Sequence, residues 1–191
     1  MAGKRSNTIW TLFIAFIMVS SVLGYAIFGG TEQTTTRYNG YSFVRTSTGW
    51  QTKVNKQELS FNFHPSEVEH INISQGIVDL IKNTNMIYLT FDPDQPDLQY
   101  IDLSRFEMTD IFFTFLQTYA ENAVTKQSSK YDLKILDCTN ATSSVPVIHF
   151  KQGNETKAYK DDSCIIIQST DGPGYLKLKD RLIYELLDII Q

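Results

Sequence analysis

Asp92, Asp94 and Asp97 stand together in the six-residue run Asp-Pro-Asp-Gln-Pro-Asp, so hard-cation binding is the first chemistry to weigh. Calcium takes several oxygens from a flexible loop. The run lacks the central glycine and distal glutamate of an EF-hand, and its two prolines suit a plain turn equally well. These aspartates are weak metal candidates, and no metal is expected. His64 and His70, with Glu67 and Glu69 between them, lack the His-Glu-x-x-His spacing of a helical zinc site, and His149 stands alone on an expected strand. Solvated or core-satisfied histidines are expected.

Nucleophilic chemistry has no better footing. No Gly-x-Ser-x-Gly serine occurs, and Gly172-Pro173-Gly174 is not a phosphate-binding fingerprint, since proline removes an amide donor. No catalytic residue and no cofactor are expected. The aromatic set of residues 41–63, with Tyr41, Phe43 and Trp50, has two readings: a binding face for sugar or peptide, or the core of a sheet.

Cys138 and Cys164 are the two cysteines. Outside the cytoplasm thiols tend to pair, and an even count without Cys-x-x-Cys spacing fits one structural disulfide. Closing a loop of roughly 25 residues is worth about 3 kcal/mol in the chain-entropy model. Two separate buried thiols are the alternative. Three glycosylation sequons point to the same compartment, at Asn72, Asn140 and Asn154.

The compartment follows from residues 9–28, which carry no charge and are long enough to cross the ~30 Å hydrocarbon core as a helix. Lys4 and Arg5 precede the stretch and no basic residue follows until Arg37, which sets the N-terminus in the cytoplasm and the remainder outside. A cleaved signal peptide ending near Ala26 is the alternative, although apolar character continues through Ile27 and Phe28. Both give the same address. The expected organisation is a cytoplasmic stub (1–8), a transmembrane helix (9–28), a polar spacer (29–40) and one exported domain (41–191).

All 21 acidic side chains and all but two of the 17 basic ones follow residue 30, so the exported part carries −6. Mild acidity argues against a nucleic-acid surface, and 42% hydrophobic content argues against disorder.

The positioning elements read as a mixed α/β (α+β) fold. Alternation over Tyr41–Arg45, Trp50–Val54 and Leu59–Phe63 predicts an antiparallel meander, stopped by His64-Pro65. A single helical turn at 66–69 and a short helix from Ile77 follow. Met86–Phe91 is nearly continuous in apolar character, the mark of a central strand. A stripe of Met108, Phe112, Phe115, Leu116, Tyr119 and Ala123 predicts one long helix from Ser104 to about Gln127, and Leu133–Cys138 then completes a β-α-β unit. Strands at 145–150 and 163–168 and a C-terminal amphipathic helix packed on the sheet complete the fold.

The run Asp137-Cys138-Thr139-Asn140-Ala141-Thr142 leading to Val145-Pro146-Val147-Ile148, with Asn154-Glu155-Thr156, Cys164-Ile165-Ile166-Ile167 and the closing Asp180–Leu187, resembles small uncharacterised archaeal proteins. These have one N-terminal membrane segment and an exported α/β domain. The resemblance covers about the last 60 residues. It implies anchorage and a paired Cys138–Cys164, and it brings no catalytic residues. The function expected is a membrane-anchored extracytoplasmic binding or structural module. Its partners are the bilayer, through residues 9–28, and an envelope protein or glycan. The alternatives are an envelope hydrolase whose site assembles only in three dimensions, and an accessory subunit of a membrane complex.

Overall fold

The structure, a computed structural model, describes residues 10–21 and 34–191. The chain divides into two units, Met1–Thr34 and Thr35–Gln191. In the first, residues 10–21 are helical with exposed side chains. The rest of the expected span, the stub, the site near Ala26 and residues 29–33 of the spacer lie outside the described residues. Among the described residues no helix is long and apolar enough to cross a membrane.

The second unit holds two sheets. Strands β1 (Thr35–Tyr38), β2 (Tyr41–Arg45), β3 (Trp50–Val54) and β4 (Gln57–Phe61) pair antiparallel in that order. Two of the three connections are two-residue hairpins with both residues at positive φ, Asn39-Gly40 and Asn55-Lys56, the backbone that matches strand twist. The third turn closes on Gly49 at φ 155°, where a Cβ would lie 2.1 Å from the Phe61 carbonyl oxygen. The expected meander is therefore present, with one strand more. Thr35–Tyr38 is not spacer: its polar, threonine-rich sequence suits an edge strand.

The second sheet contains β5 (Met86–Phe91), β6 (Tyr119–Val124), β7 (Lys134–Ile135), β8 (Val147–Gln152), β9 (Lys157–Asp161) and β10 (Cys164–Ser169). Its order is β7-β6-β5-β8-β10-β9, parallel except for β9. As its composition implies, β5 is central.

The helices are α1 (Pro65–Val68), α2 (Ile77–Lys82), α3 (Leu98–Ile111), which continues into a π-helical turn over Phe112–Leu116, and α4 (Gly172–Leu186). The long helix expected over 104–127 is thus two elements. Gln117 turns left-handed at φ 56°, the Thr118 N–H reaches back to the Phe112 carbonyl, and the Thr118 hydroxyl donates to the Thr84 carbonyl. The chain then enters β6 beside β5, so the β-α-β unit is β5-α3-β6. Neither glycine nor proline marks that break, and Ala-Glu-Asn-Ala has good helical propensity; parallel pairing overrides it. The strand expected at 133–138 shrinks to β7, and β9, in the polar stretch after Asn154, is an edge strand that periodicity did not reveal.

The C-terminal helix starts at Gly172, capped by the Asp171 carboxylate on the Gly174 N–H (2.8 Å). It is buried on most of its circumference. Tyr184 stacks on Phe61 (4.2 Å) and meets Phe43 edge-on (6.0 Å), while Leu178, Leu182 and Ile183 join the core shared with the second sheet. This burial takes two charges with it. Lys179 and Asp180 are both fully buried; Lys179 pairs with Asp180 and with Glu107 of α3, and donates to Asn62 Oδ1 (3.0 Å). The second Asp180 oxygen accepts the N–H groups of Asn62 (2.9 Å) and Phe63 (2.8 Å).

Removing one partner of a buried ion cluster strands the others. Lys179→Met is expected to cost about 3–5 kcal/mol in urea unfolding. Lys82→Met, which removes an exposed pair with Asp188, is expected to cost under about 1 kcal/mol.

Candidate functional site

In an open α/β sheet the carboxyl ends of neighbouring strands part where the chain changes direction, and ligands bind in that crevice. Here the chain leaves β5 for β6 and β7 on one side, then returns to β8, β10 and β9 on the other. The switch point therefore lies between β5 and β8. An open cavity of about 390 Å³ stands there, lined by Asp92 and Gln95 after β5, Thr125 after β6, His149, Lys151 and Gln152 of β8, and Asp137.

Each wall has a local cause. The Asp92 carboxylate accepts the Asp94 N–H (2.9 Å), an Asx turn that halts the chain after β5. Gln95 then bridges the two parting strands. Its amide donates to the Phe150 carbonyl (3.1 Å), and its carbonyl accepts the Gln152 N–H (3.2 Å). Strand alternation puts Ile148 and Phe150 into the main core and leaves His149 and Lys151 on the other face.

That other face is covered by a loop. Asp137 caps the single turn Cys138–Asn140 by accepting the Thr139 N–H (2.8 Å), and Cys138 is bonded to Cys164 at the start of β10. Val147, Cys164 and Ile166 form a small second core beneath it, with Tyr88, Tyr159 and Ala141 at its margin. The Thr90 hydroxyl ties the sheet to the loop through the Leu136 carbonyl (2.6 Å). The disulfide thus holds the loop that carries Asp137 against β10, the strand paired with the one that carries His149.

Burial lowers the His149 pKa below 6.5, and Lys151 adds to the effect against the opposing pull of Asp137 and Asp92. Asp137 is held low by the hydroxyl and N–H of Thr139. Burial raises Asp92, but the Asp94 N–H and Lys126 outweigh it, and the net shift is downward. At neutral pH the crevice offers a neutral imidazole, two carboxylates and the Lys151 side chain. The His149 Nδ1 faces the Cys138 sulfur at 3.7 Å, a half-cystine with no thiol proton for the imidazole to remove.

The residues singled out from sequence fall in different places. Cys138 and Cys164 are paired. Asn72, Asn140 and Asn154 are all exposed. Asp92 and Asp94 share the Lys126 ammonium (2.9 and 3.0 Å), and Asp97 sits apart at the N-terminus of α3. Among the described residues no group of three or more His, Cys, Asp or Glu side chains could hold a metal ion. His64 is buried, caps α1, and lies against Tyr38, Phe43 and Trp50; His70 is exposed elsewhere. Phe43 is core, and Tyr41 and Trp50 pack against it half-buried. Sequence reasoning missed the crevice itself. Its one legible signal was an aspartate turn directly after the most apolar strand, because the switch point exists only once strand order is known.

In comparison with known proteins, no family model matches the chain, and no curated protein or solved structure is significantly similar to it.

A histidine whose folded pKa is depressed takes up its proton first in the unfolded chain. Stability is therefore expected to fall as pH drops through 6.5, the ordinary histidine value, towards the folded pKa. His149→Gln should flatten this fall in urea unfolding across that window. A residual slope is expected from His64, which burial also depresses.

Proposed function

We propose that the protein is a membrane-anchored extracytoplasmic binding module and that the switch-point crevice is its ligand site. The observation that carries this reading is the crevice's construction: an open polar cleft at the strand ends, with one wall held in place by the Cys138–Cys164 disulfide. Such bonds persist in oxidising compartments, in keeping with export after residues 9–28. The anchor, its orientation, and the glycosylation of Asn72, Asn140 and Asn154 belong to the same reading, as does the kinship with exported archaeal domains.

Binding is favoured over hydrolysis by the state of the groups. Both carboxylates are engaged by neighbours, and His149 faces a half-cystine instead of a hydroxyl. A ring of alternating donors and acceptors of both charges fits a polyhydroxylated ligand, the chemistry of an envelope glycan. A second reading, the accessory subunit, draws on Phe106 and Phe113, which are 74% and 68% exposed, with Leu103 near them on the helix surface. Apolar surface of that kind suits a protein partner.

The test uses the full chain in native membranes. After mild reduction, a membrane-impermeant maleimide is expected to label the part-exposed Cys138 in intact cells, with the protein staying in the carbonate-washed membrane fraction. The host's purified envelope polysaccharide should bind the detergent-purified chain, and His149→Ala with Lys151→Ala should weaken that binding by roughly tenfold. Labelling only after permeabilisation would refute the topology. Polysaccharide binding that survives both substitutions would refute the site.

A further inference from the structure

The Cys138–Cys164 bond has two unlike ends. Cys164, at the start of β10, is 2% exposed, whereas Cys138, on the single turn after Asp137, is part-exposed. What access the bond has is therefore through Cys138. Against that sulfur lies the imidazole of His149, its Nδ1 3.7 Å away.

In the disulfide this contact has no proton to pass. In the reduced chain it stands between a thiol and an imidazole that burial keeps neutral. Moving the Cys138 proton to Nδ1 gives a thiolate beside an imidazolium. Asp137 and Asp92 both favour the imidazolium, and Lys151 of β8 opposes it. Reactive cysteines occupy such settings, part-exposed and beside a cation, while a thiol buried among apolar groups stays protonated. Cys164, in the small core with Val147 and Ile166, is of the second kind.

The bond also lies where the fold does not depend on it. The main core excludes both cysteines. Strand β10 is paired on both sides, and the loop keeps two further ties, from the Thr90 hydroxyl to the Leu136 carbonyl and from the Leu136 N–H to the Val124 carbonyl (2.9 Å).

We propose that Cys138–Cys164 is an exchangeable pair that oxidises thiols, with Cys138 as the sulfur attacked and His149 as the group that holds the proton beside it. This activity does not rest on ligand binding in the crevice. A substrate thiolate attacks Cys138 Sγ and forms a mixed disulfide; the Cys138–Cys164 bond breaks, and its electron pair leaves on Cys164, which takes up a proton. A second substrate thiolate attacks the substrate sulfur of the mixed disulfide, and the electron pair of that bond leaves on Cys138. Two thiols are thereby oxidised to one disulfide and the protein pair is reduced. Of the two protons the thiols release, one ends on Cys164 and the other on His149, beside the Cys138 thiolate. Access and the leaving thiol govern such exchange.

The test uses the full chain in detergent. Excess reduced glutathione is expected to open the pair while circular dichroism remains that of the folded chain. Ultraviolet thiolate absorbance of the reduced chain should titrate with a midpoint below about 8.5, the free cysteine value. His149→Gln should raise that midpoint and cut the thiolate at neutral pH by roughly tenfold. Given glutathione disulfide, Cys164→Ser should accumulate one glutathione on Cys138, located by peptide mass, and Cys138→Ser should take up none. If Cys164→Ser fails to fold, the titrations of the parent and of His149→Gln decide. A pair that opens only with unfolding, a midpoint at or above the free value, a midpoint unmoved by His149→Gln, or glutathione uptake at Cys164 overturns the proposal.

Discussion

Lys179 is the point on which the packing of the folded unit depends. A fully buried ammonium is tolerable only if its three donors are met, and they are met by three segments: α4 itself through Asp180, α3 through Glu107, and the exit of β4 through Asn62. Asp180 completes the lock by accepting two successive main-chain N–H groups at Asn62 and Phe63, and Tyr184, one turn on, donates to the Phe63 carbonyl (2.7 Å). The meander cannot slide on α4 without unpairing charges in the interior. Apolar contacts between Phe61, Phe43 and Tyr184 supply attraction but little direction; the ion cluster supplies register. Burial raises Asp180 to about 6 even though Lys179 pulls it down. This sign is opposite to that of the buried histidines: proton release from Asp180 costs stability as pH rises from its ordinary value to about 6, whereas protonation of His64 and His149 costs stability as pH falls.

One face of the second sheet is thereby committed to helices and meander, and the opposite face is treated differently. A parallel sheet ordinarily needs helices on both faces. Here the second face is closed over β8 and β10 by a loop whose helical content is the single turn Cys138–Asn140, and the disulfide substitutes for the core a full helix would bring. A loop covers less area than a helix, so the carboxyl ends of β5 and β8 stay open. The crevice is a consequence of that economy of cover, and His149 is half-buried in it because its strand neighbours on the same face, Val147 and Ile166, are under the loop.

How far this was legible follows from which interactions are local. The three expected strands of the meander were readable because their pattern is local: alternation at Phe43, Leu59 and Phe61 needs nothing from the rest of the chain, whereas the Asn39-Gly40 hairpin lay unread at the end of the expected spacer. Strand β5 was readable from its apolar run, and the cysteine pair from its even number without Cys-x-x-Cys spacing. Strand β6 was not, since Tyr-Ala-Glu-Asn-Ala-Val continues a helical stripe and becomes a strand only by pairing with β5, some thirty residues earlier in the chain. Residues 35–38 were hidden for a related reason: an edge strand buries little and can be polar. The candidate site was the least legible part. Asp92, Asp137 and His149 belong to separate elements, and only strand order makes them neighbours of one cleft.

The crevice is framed by groups whose charges are already answered locally, Asp92 by Lys126 and Asp137 by Thr139, so its walls can accept a range of polar ligands with modest selectivity. The cluster around Lys179 is thus the tightly tied part of the fold, and the crevice is the part whose cover a single disulfide holds.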